Sequence, residues 1–170
     1  MKTKIQKLIL LAVATTLYSC GGGGGSSTPP PSPTTMNIKI STQGTLPSGG
    51  QIGGISVNLI LPAGVTVKAT SDPNNPSVLV TDAGVVAPSG VAAISSSVLA
   101  TYTAATASVA GNVNIQIAQS AGFAVGEFVT VHCDVIAGQT STPANFSLSN
   151  FSVVDLNGTP LGGLIAVVLP

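Results

Sequence analysis

The stretch Asn112-Val113-Asn114-Ile115-Gln116-Ile117 alternates polar and apolar residues without interruption. Successive side chains of a β-strand point to opposite faces of the sheet, so the three apolar residues of this stretch share one face. Strict alternation is typical of a strand that buries one face and exposes the other. The stretch therefore predicts a half-buried strand in an antiparallel sheet, and not a helix.

The same pattern recurs in residues 128–135, where an apolar set (Val129, Val131, Cys133, Val135) alternates with Phe128, Thr130, His132 and Asp134. Runs rich in Val, Ile and Thr predict further strands, which are bounded by Gly, Pro or Asn-Gly. These strands cover residues 37–41, 55–61, 66–70, 78–81, 98–104, 145–149, 152–155 and 164–169.

The segments between the predicted strands contain turn formers. Residues 61–64 and 155–158 each end in a Gly, which adopts positive φ easily. Residues 104–110 are rich in alanine, but their alternating Thr and Ser favour a strand or loop over a helix. Short strands separated by such turns are typical of an antiparallel sandwich of two sheets.

The first 19 residues carry the parts of a secretory signal. Lys2, Lys4 and Lys7 give a positively charged start, and residues 8–17 form a short apolar core. A helix of about ten residues is about 15 Å long, too short for the roughly 30 Å of hydrocarbon in a bilayer. We therefore expect residues 1–19 to be a cleaved signal peptide and not a permanent membrane span.

The segment Leu17-Tyr18-Ser19-Cys20 resembles the lipobox of bacterial lipoproteins, although Tyr18 is bulkier than the residue usual there. The resemblance implies that the thiol of Cys20 takes a diacylglycerol, and that cleavage frees its amine for a further acyl chain such as palmitate. Two or three acyl chains give durable membrane attachment. No acidic residue follows Cys20 directly. The resemblance therefore implies an exported protein, in the outer membrane of a two-membrane envelope or otherwise on the outer face of the cell membrane.

A tether follows the cysteine. Residues 20–35 consist mainly of Gly, Ser, Thr and Pro and contain almost nothing that a core can bury. Glycine-rich sequence is a flexible coil, and proline-rich sequence is a stiffer spacer. We expect one domain over residues 36–170, a length that suffices for a hydrophobic core.

Charge is sparse in this domain, and its sign excludes one class of partner. Beyond the leader, two lysines stand against five carboxylates, a net charge of −3, and the chain has no arginine. Nucleic-acid binding requires a basic patch, so nucleic acid is excluded as a partner. With Cys20 acylated, Cys133 is the one free thiol left, and no internal disulfide is expected.

The order of segments is similar to that of cohesin domains. Residues 52–62, with Gly53-Gly54 ahead of an alternating strand, are similar to an early cohesin strand, and residues 76–80 to the cohesin step Pro-Ser-Val-Leu. Residues 126–135 resemble a later cohesin strand that follows a Gly, and residues 146–161 resemble the closing strands with their Asn-Gly turn. The resemblance covers most of residues 37–165.

This resemblance implies an all-β fold, an antiparallel two-sheet jelly-roll sandwich of about nine strands. It also implies a non-catalytic binding domain with a dockerin-like protein partner and, through the family alone, a role in polysaccharide catabolism. The chain departs from the family pattern, since the Tyr-Asp pair usual before Pro-Ser-Val-Leu is absent and residues 72–75 form a different loop. Sandwiches of the carbohydrate-binding-module type share much of the same strand order.

No set of residues specifies a reaction, so we expect neither enzyme activity nor a cofactor. His132 and Cys133 are adjacent, but adjacent strand residues point to opposite faces, which separates a nucleophile from its base. Cys133 continues an apolar face and is expected in the core. Asp72 and Asn74 have oxygen atoms suited to calcium. A single carboxylate supplies few of the ligands that calcium needs, however, and Asp and Asn at these positions favour a turn.

Three functions stay open. The first is a cell-surface protein-binding module of the cohesin type, and the second is a carbohydrate-binding module for extracellular or envelope polysaccharide. The candidates for stacking on sugar rings are Tyr102, Phe123 and Phe128, although phenylalanines of a sandwich are more often in the core. The third is a structural surface subunit that assembles through its strand edges.

Overall fold

A computed structural model describes residues 32–170, which form eleven β-strands and two short 3₁₀ turns, Gly90–Ala92 and Pro143–Asn145. The strands are β1 (Thr34–Gly44), β2 (Ile52–Ile60), β3 (Val65–Thr66), β4 (Ala69–Asp72), β5 (Asn75–Thr81), β6 (Val86–Pro88), β7 (Ser97–Thr103), β8 (Asn112–Phe123), β9 (Glu127–Val135), β10 (Ser147–Val154) and β11 (Leu164–Val168). Within residues 32–170, no helix is long and apolar enough to cross a membrane. The predicted signal peptide, Cys20 and tether residues 20–31 lie outside this range.

Two antiparallel sheets contain all of these strands. Sheet A has the order β11-β1-β9, and the short strands β3 and β6 both pair with the far side of β9. Sheet B has the order β10-β2-β8-β7-β5-β4. The predicted all-β, antiparallel two-sheet sandwich is therefore confirmed.

Several strand boundaries differ from the prediction. The segment predicted as one strand at 66–70 is divided between β3 and β4, and β6 was not predicted. The two strands predicted at 145–149 and 152–155 are the single strand β10, because a bulge between Ser149 and Ser152 lets the pairing with β2 continue. β1 begins at Thr34, two residues ahead of the predicted start of the domain.

The core lies between the sheets and follows the predicted alternation. Val113, Ile115 and Ile117 of β8 are buried, and their polar neighbours lie on the outer face of sheet B. β9 keeps the same alternation from Val129 onward, with Cys133 buried and His132 exposed.

Phe128 departs from this alternation. The alternation alone places it on the outer face, but its side chain is fully buried, the position more usual for a phenylalanine of a sandwich. Ile40 and Ser41 of β1 pair with Val129 and Glu127, so Phe128 is the extra residue of a bulge. A bulged residue is free of the strict alternation of the strand, and here its ring fills the core.

The two predicted turns are confirmed at their glycines. Gly64 and Gly158 have φ angles of +79° and +80°, a region that non-glycine residues rarely adopt. In the second turn, a carboxylate oxygen of Asp155 accepts hydrogen bonds from the backbone N–H groups of Asn157 and Thr159, both at 2.8 Å. The alanine-rich residues 104–110 form a loop, one of the two predicted outcomes.

Candidate functional site

The outer face of sheet B consists of parallel rows of side chains. Because β10, β2, β8 and β7 pair side by side in this order, their outward residues stand in rows across the sheet. One row contains Val154, Gly54, Ala118 and Ser97, and the next contains Ser152, Ser56, Gln116 and Leu99. A third row contains Asn58, Asn114 and Thr101. We call these three rows the uncharged face, because none of these side chains carries a charge.

The first two rows of the uncharged face line a hollow of about 360 Å³. Its middle is low because Gly54, Ala118 and Ser97 have small side chains, or none, on neighbouring strands. A second hollow of about 550 Å³ shares these residues and continues toward Leu156 and Ser95. Glycine within a strand often marks a place where another backbone or a ligand approaches closely.

Three large apolar side chains stand beside the two hollows and are strongly exposed. Leu99 lines the first hollow, and its side chain is 55% exposed. Leu156 lines the second hollow and is 49% exposed. Ile94 precedes Ser95 of the second hollow and is 78% exposed. We call these three residues the apolar rim.

Ile94 is held in its exposed position by the neighbouring structure. The side chain of Gln119 is almost completely buried, and its amide donates a hydrogen bond to the backbone carbonyl of Ile94. The next residue, Ser95, has a φ angle of +59°, which is uncommon for a residue with a side chain. The backbone at Ile94 is therefore held by the buried amide of Gln119 and by the positive φ angle of Ser95.

A short ladder of side-chain amides crosses the uncharged face. The Nδ2 of Asn114 donates to the Oδ1 of Asn58 on the neighbouring strand, with 2.6 Å between the atoms. The Nε2 of Gln116 donates in turn to the Oδ1 of Asn114 at 3.4 Å. The ladder satisfies polar groups within the face and aligns them in one direction.

The outer face of sheet A contrasts with this surface, because it carries charged side chains. The Nζ of Lys39 lies 3.1 Å from the Oε2 of Glu127. A hydrogen bond from Ser89, together with Lys39, holds the pKa of Glu127 below its ordinary value. On the same face, the Nδ1 of His132 lies 2.6 Å from the Oδ1 of Asn37.

The residues predicted for sugar stacking are buried in the core. Tyr102, Phe123 and Phe128 are 9%, 4% and 0% exposed, so none offers a ring face to a sugar in this structure. Tyr102 faces inward on β7, and burial followed by the proximity of Cys133 raises the pKa of its hydroxyl. Phe123 pairs with Ile52 where β8 ends, which turns its ring inward.

The other predicted candidates also have structural roles. One carboxylate oxygen of Asp72 accepts hydrogen bonds from the backbone N–H groups of Asn74, at 2.7 Å, and Asn75, at 3.3 Å, as expected for a turn. Residues 32–170 contain no group of three or more His, Cys, Asp or Glu side chains arranged to hold a metal ion. Burial raises the pKa of the Cys133 thiol to about 12, and Cys133 and His132 lie on opposite faces of β9.

The prediction from sequence missed the apolar rim. The sequence does indicate one of its members. Val98, Ala100 and Tyr102 alternate along a strand and so share its inner face, which places Leu99 on the outer face. Ile94 and Leu156 are in loops, where alternation gives no direction. Their place beside the hollows depends on how β2, β8 and β10 end in space.

Comparison with known proteins gives one structural likeness. No family model matches the chain, and no curated protein sequence matches it. A solved structure, the non-cellulosomal cohesin from the hyperthermophilic archaeon Archaeoglobus fulgidus, is similar to 78% of this chain over 75% of its own length. The identity is 16% and the TM-score is 0.43.

Proposed function

We propose that this chain is a surface lipoprotein, anchored by acyl chains on Cys20, whose sandwich domain is a non-catalytic module that binds another protein. The leader, the lipobox-like segment and the Gly/Pro-rich tether support the anchor. The same features support export to an outer membrane, or to the outer face of a single cell membrane. The partner-binding surface that we propose is the uncharged face with its apolar rim.

The single observation that carries the binding function is the exposure of the apolar rim beside a concave, uncharged surface. Large apolar side chains are unfavourable in water, and each of these three contributes about 1.5–3 kcal/mol when it is fully buried. The centres of protein–protein interfaces are depleted of charged residues, as this face is. A partner seated on the three rows therefore removes apolar surface from water without stripping water from a charge.

The shape of the face indicates what the partner presents to it. Small residues form the floor, and Leu99 and Leu156 stand at the sides. Such a surface receives a convex apolar element, for example one side of a helix or a tight loop. The cohesin resemblance of the sequence suggests a dockerin-like domain as the source of that element.

A photo-crosslinking experiment tests the proposed binding surface. A photoreactive phenylalanine analogue replaces Leu99 in one variant and Ile136 in another, because both native side chains are 55% exposed. Ile136 follows β9 and lies outside the uncharged face. We expect one protein adduct from position 99, removed by excess unlabelled wild-type domain but not by excess unlabelled Leu99→Lys domain, and none from position 136. Equal labelling from both positions would refute the assigned surface.

Metabolic labelling tests the proposed anchor. Cells that produce the full chain receive an alkyne analogue of palmitate. We expect the wild-type chain and Cys133→Ala to be labelled and to sediment with membranes, whereas Cys20→Ala is unlabelled. Labelling that persists in Cys20→Ala would exclude this cysteine as the site of acylation.

Polysaccharide binding is the second candidate function, and the amide ladder is the observation that favours it. Aligned amides on an uncharged face offer donors and acceptors to sugar hydroxyls. A glycan array probed with wild type and Asn114→Ala separates the two candidates. Signals that disappear in Asn114→Ala favour polysaccharide, and an array without signal removes this candidate.

A further inference from the structure

The sandwich has four sheet edges, and three of them are protected against pairing with another strand. On sheet A, the edge beside β9 consists of β3, with two residues, and β6, with three residues and a final Pro88. On sheet B, β4 is short and ends in the charged Asp72. Short strands, prolines, charges and bulges are the usual means by which proteins block edge pairing.

The third protected edge is β10. It contains a bulge, and Asn150 within that bulge has a φ angle of +51°. Its end is covered, since Val154 pairs with Pro160 and the N–H of Leu161 donates to the carbonyl of Val153. A regular second strand cannot align along this edge.

The fourth edge, β11, has none of these protections. Its sequence is Leu164-Ile165-Ala166-Val167-Val168, and its pairing with β1 shows no bulge. No charged residue occurs after Asp155 in the sequence. Residues of an antiparallel strand alternate in the side to which their backbone groups point. Since the N–H of Leu169 donates to Lys39 on β1, the backbone groups of Leu164, Ala166 and Val168 point to the open side.

We propose that β11 is a self-association edge, on which the β11 strand of a second copy pairs antiparallel about a two-fold axis. Two-fold pairing places a strand against its own reverse, so like charges across the axis are the usual obstacle. β11 has no charge to repel its copy, and every residue that it presents is apolar. The chain's own segment ahead of β1 is a poor occupant, because Pro29, Pro30 and Pro31 lack N–H donors.

An apolar groove beside β11 adds buried area to this pairing. It has a volume of about 430 Å³, and Phe146, Leu148 and Val167 are among its lining residues. No charged side chain lines it. A second copy placed along β11 covers the mouth of this groove, which removes apolar surface from water in addition to forming backbone hydrogen bonds.

Sedimentation of residues 32–170 over a concentration series tests the proposal, because this segment contains both sheets and the core described above. Three proteins are compared: wild type, Ile165→Lys and Leu99→Lys. The two native side chains are 58% and 55% exposed, so neither change is expected to disturb the fold. We expect wild type and Leu99→Lys to form dimers, and Ile165→Lys to dimerise about tenfold more weakly or not at all.

The opposite pattern, with dimers lost in Leu99→Lys and kept in Ile165→Lys, would show that copies meet through the uncharged face and would overturn the proposal. A strict monomer at every concentration would also overturn it. Because partner crosslinking at position 99 uses a different face, self-association and partner binding fail or succeed independently.

A disulfide trap gives a second readout. Residues paired across an antiparallel ladder have Cα atoms about 4.5–5.5 Å apart, within the range that a disulfide spans. Under mild oxidation, we expect Ala166→Cys to form a covalent dimer faster than Thr103→Cys, whose residue lies on β7 in the interior of sheet B. Cys133 is buried in both proteins. Equal rates for the two variants would count against pairing through β11.

Discussion

Gly53 lies where the start of β2 approaches the backbone after β10. A Cβ atom at this position would stand 2.5 Å from the carbonyl oxygen of Asp155 and 2.8 Å from the Cα of Leu156. Both neighbours belong to the backbone, so they cannot move aside as a flexible side chain would. This close approach brings Leu156 beside the second hollow, and so the absence of one side chain shapes the proposed binding surface.

We expect Gly53→Ala to lower the free energy of unfolding by about 1–3 kcal/mol, the usual cost of overpacking. Gly162→Ala is the matched control, because a Cβ there meets no atom within 4 Å. We expect that control to stay within about 0.5 kcal/mol of wild type. Urea unfolding measures both variants, and equal stabilities would show that the backbone at Asp155 yields without cost.

Asp155 couples a single turn to pH. Hydrogen bonds from the backbone of Thr159 and then of Asn157 favour the carboxylate and lower the pKa of Asp155. A lowered folded-state pKa gives stabilisation that is present above the ordinary pKa of aspartate and lost as the pH falls through the lowered value. We therefore expect this turn to loosen only under acidic conditions, below the ordinary range of Asp.

Amide NMR signals of Asn157 and Thr159 measure this effect between about pH 5 and pH 2. We expect their titration midpoint to lie below the ordinary value for Asp, and the titration to vanish in Asp155→Asn, which keeps an acceptor oxygen. A midpoint at or above the ordinary value would contradict the role of the two N–H donors.

At the scale of the element, the regular strands could be predicted from the sequence and the irregular ones could not. β8 was predictable because polar and apolar residues alternate along it, and its regular pairing with β2 and β7 preserves that alternation. Phe128 and the bulge of β10 were not, because a bulge depends on the pairing partner and not on the strand's own residues. β3 and β6 are too short to show any period.

β8 gives a direct test of its two faces through neighbouring residues. Ile115 is fully buried, and Gln116 is exposed on the other side. We expect Ile115→Ala to cost about 2–5 kcal/mol of unfolding free energy, from lost burial and the cavity that remains. Gln116→Ala is expected to cost less than about 1 kcal/mol, the scale of a cross-strand pair. Urea unfolding measures the stability of both variants. Similar losses of unfolding free energy in the two would contradict the orientation of the strand.

At the scale of the whole molecule, the charged side chains on the outer face of sheet A are separated from the three uncharged rows of sheet B. The outer face of sheet A carries Lys39, Glu127 and His132, and the outer face of sheet B carries the hollows and the apolar rim. The sequence predicted that charge is sparse, but it could not show this separation. Which outward residues share a face depends on how the strands are ordered in the two sheets, and that order is not local.

This separation predicts how partner binding responds to salt. The Debye length, over which dissolved salt screens a charge, falls from about 10 Å at 0.1 M salt to about 3 Å at 1 M salt. Because the three rows of the uncharged face carry no charge, and Asp155 alone is charged among the residues lining the two hollows, we expect the dissociation constant to change by less than about threefold over this range. Calorimetry or surface plasmon resonance measures this dissociation constant, with the partner that the crosslinking at position 99 identifies. A loss of affinity of tenfold or more would place the contact on the charged face of sheet A.

The direction of β1 has a mechanical consequence. Thr34 lies beside Val135 at one end of the sandwich, and the hollows lie at the other end, where β2 begins and β10 ends. Tension between the segment ahead of Thr34 and a partner seated in the hollows therefore runs along the strands. Such a load acts in shear on the whole ladder between β1 and β9, so many hydrogen bonds resist it together and do not peel apart one at a time.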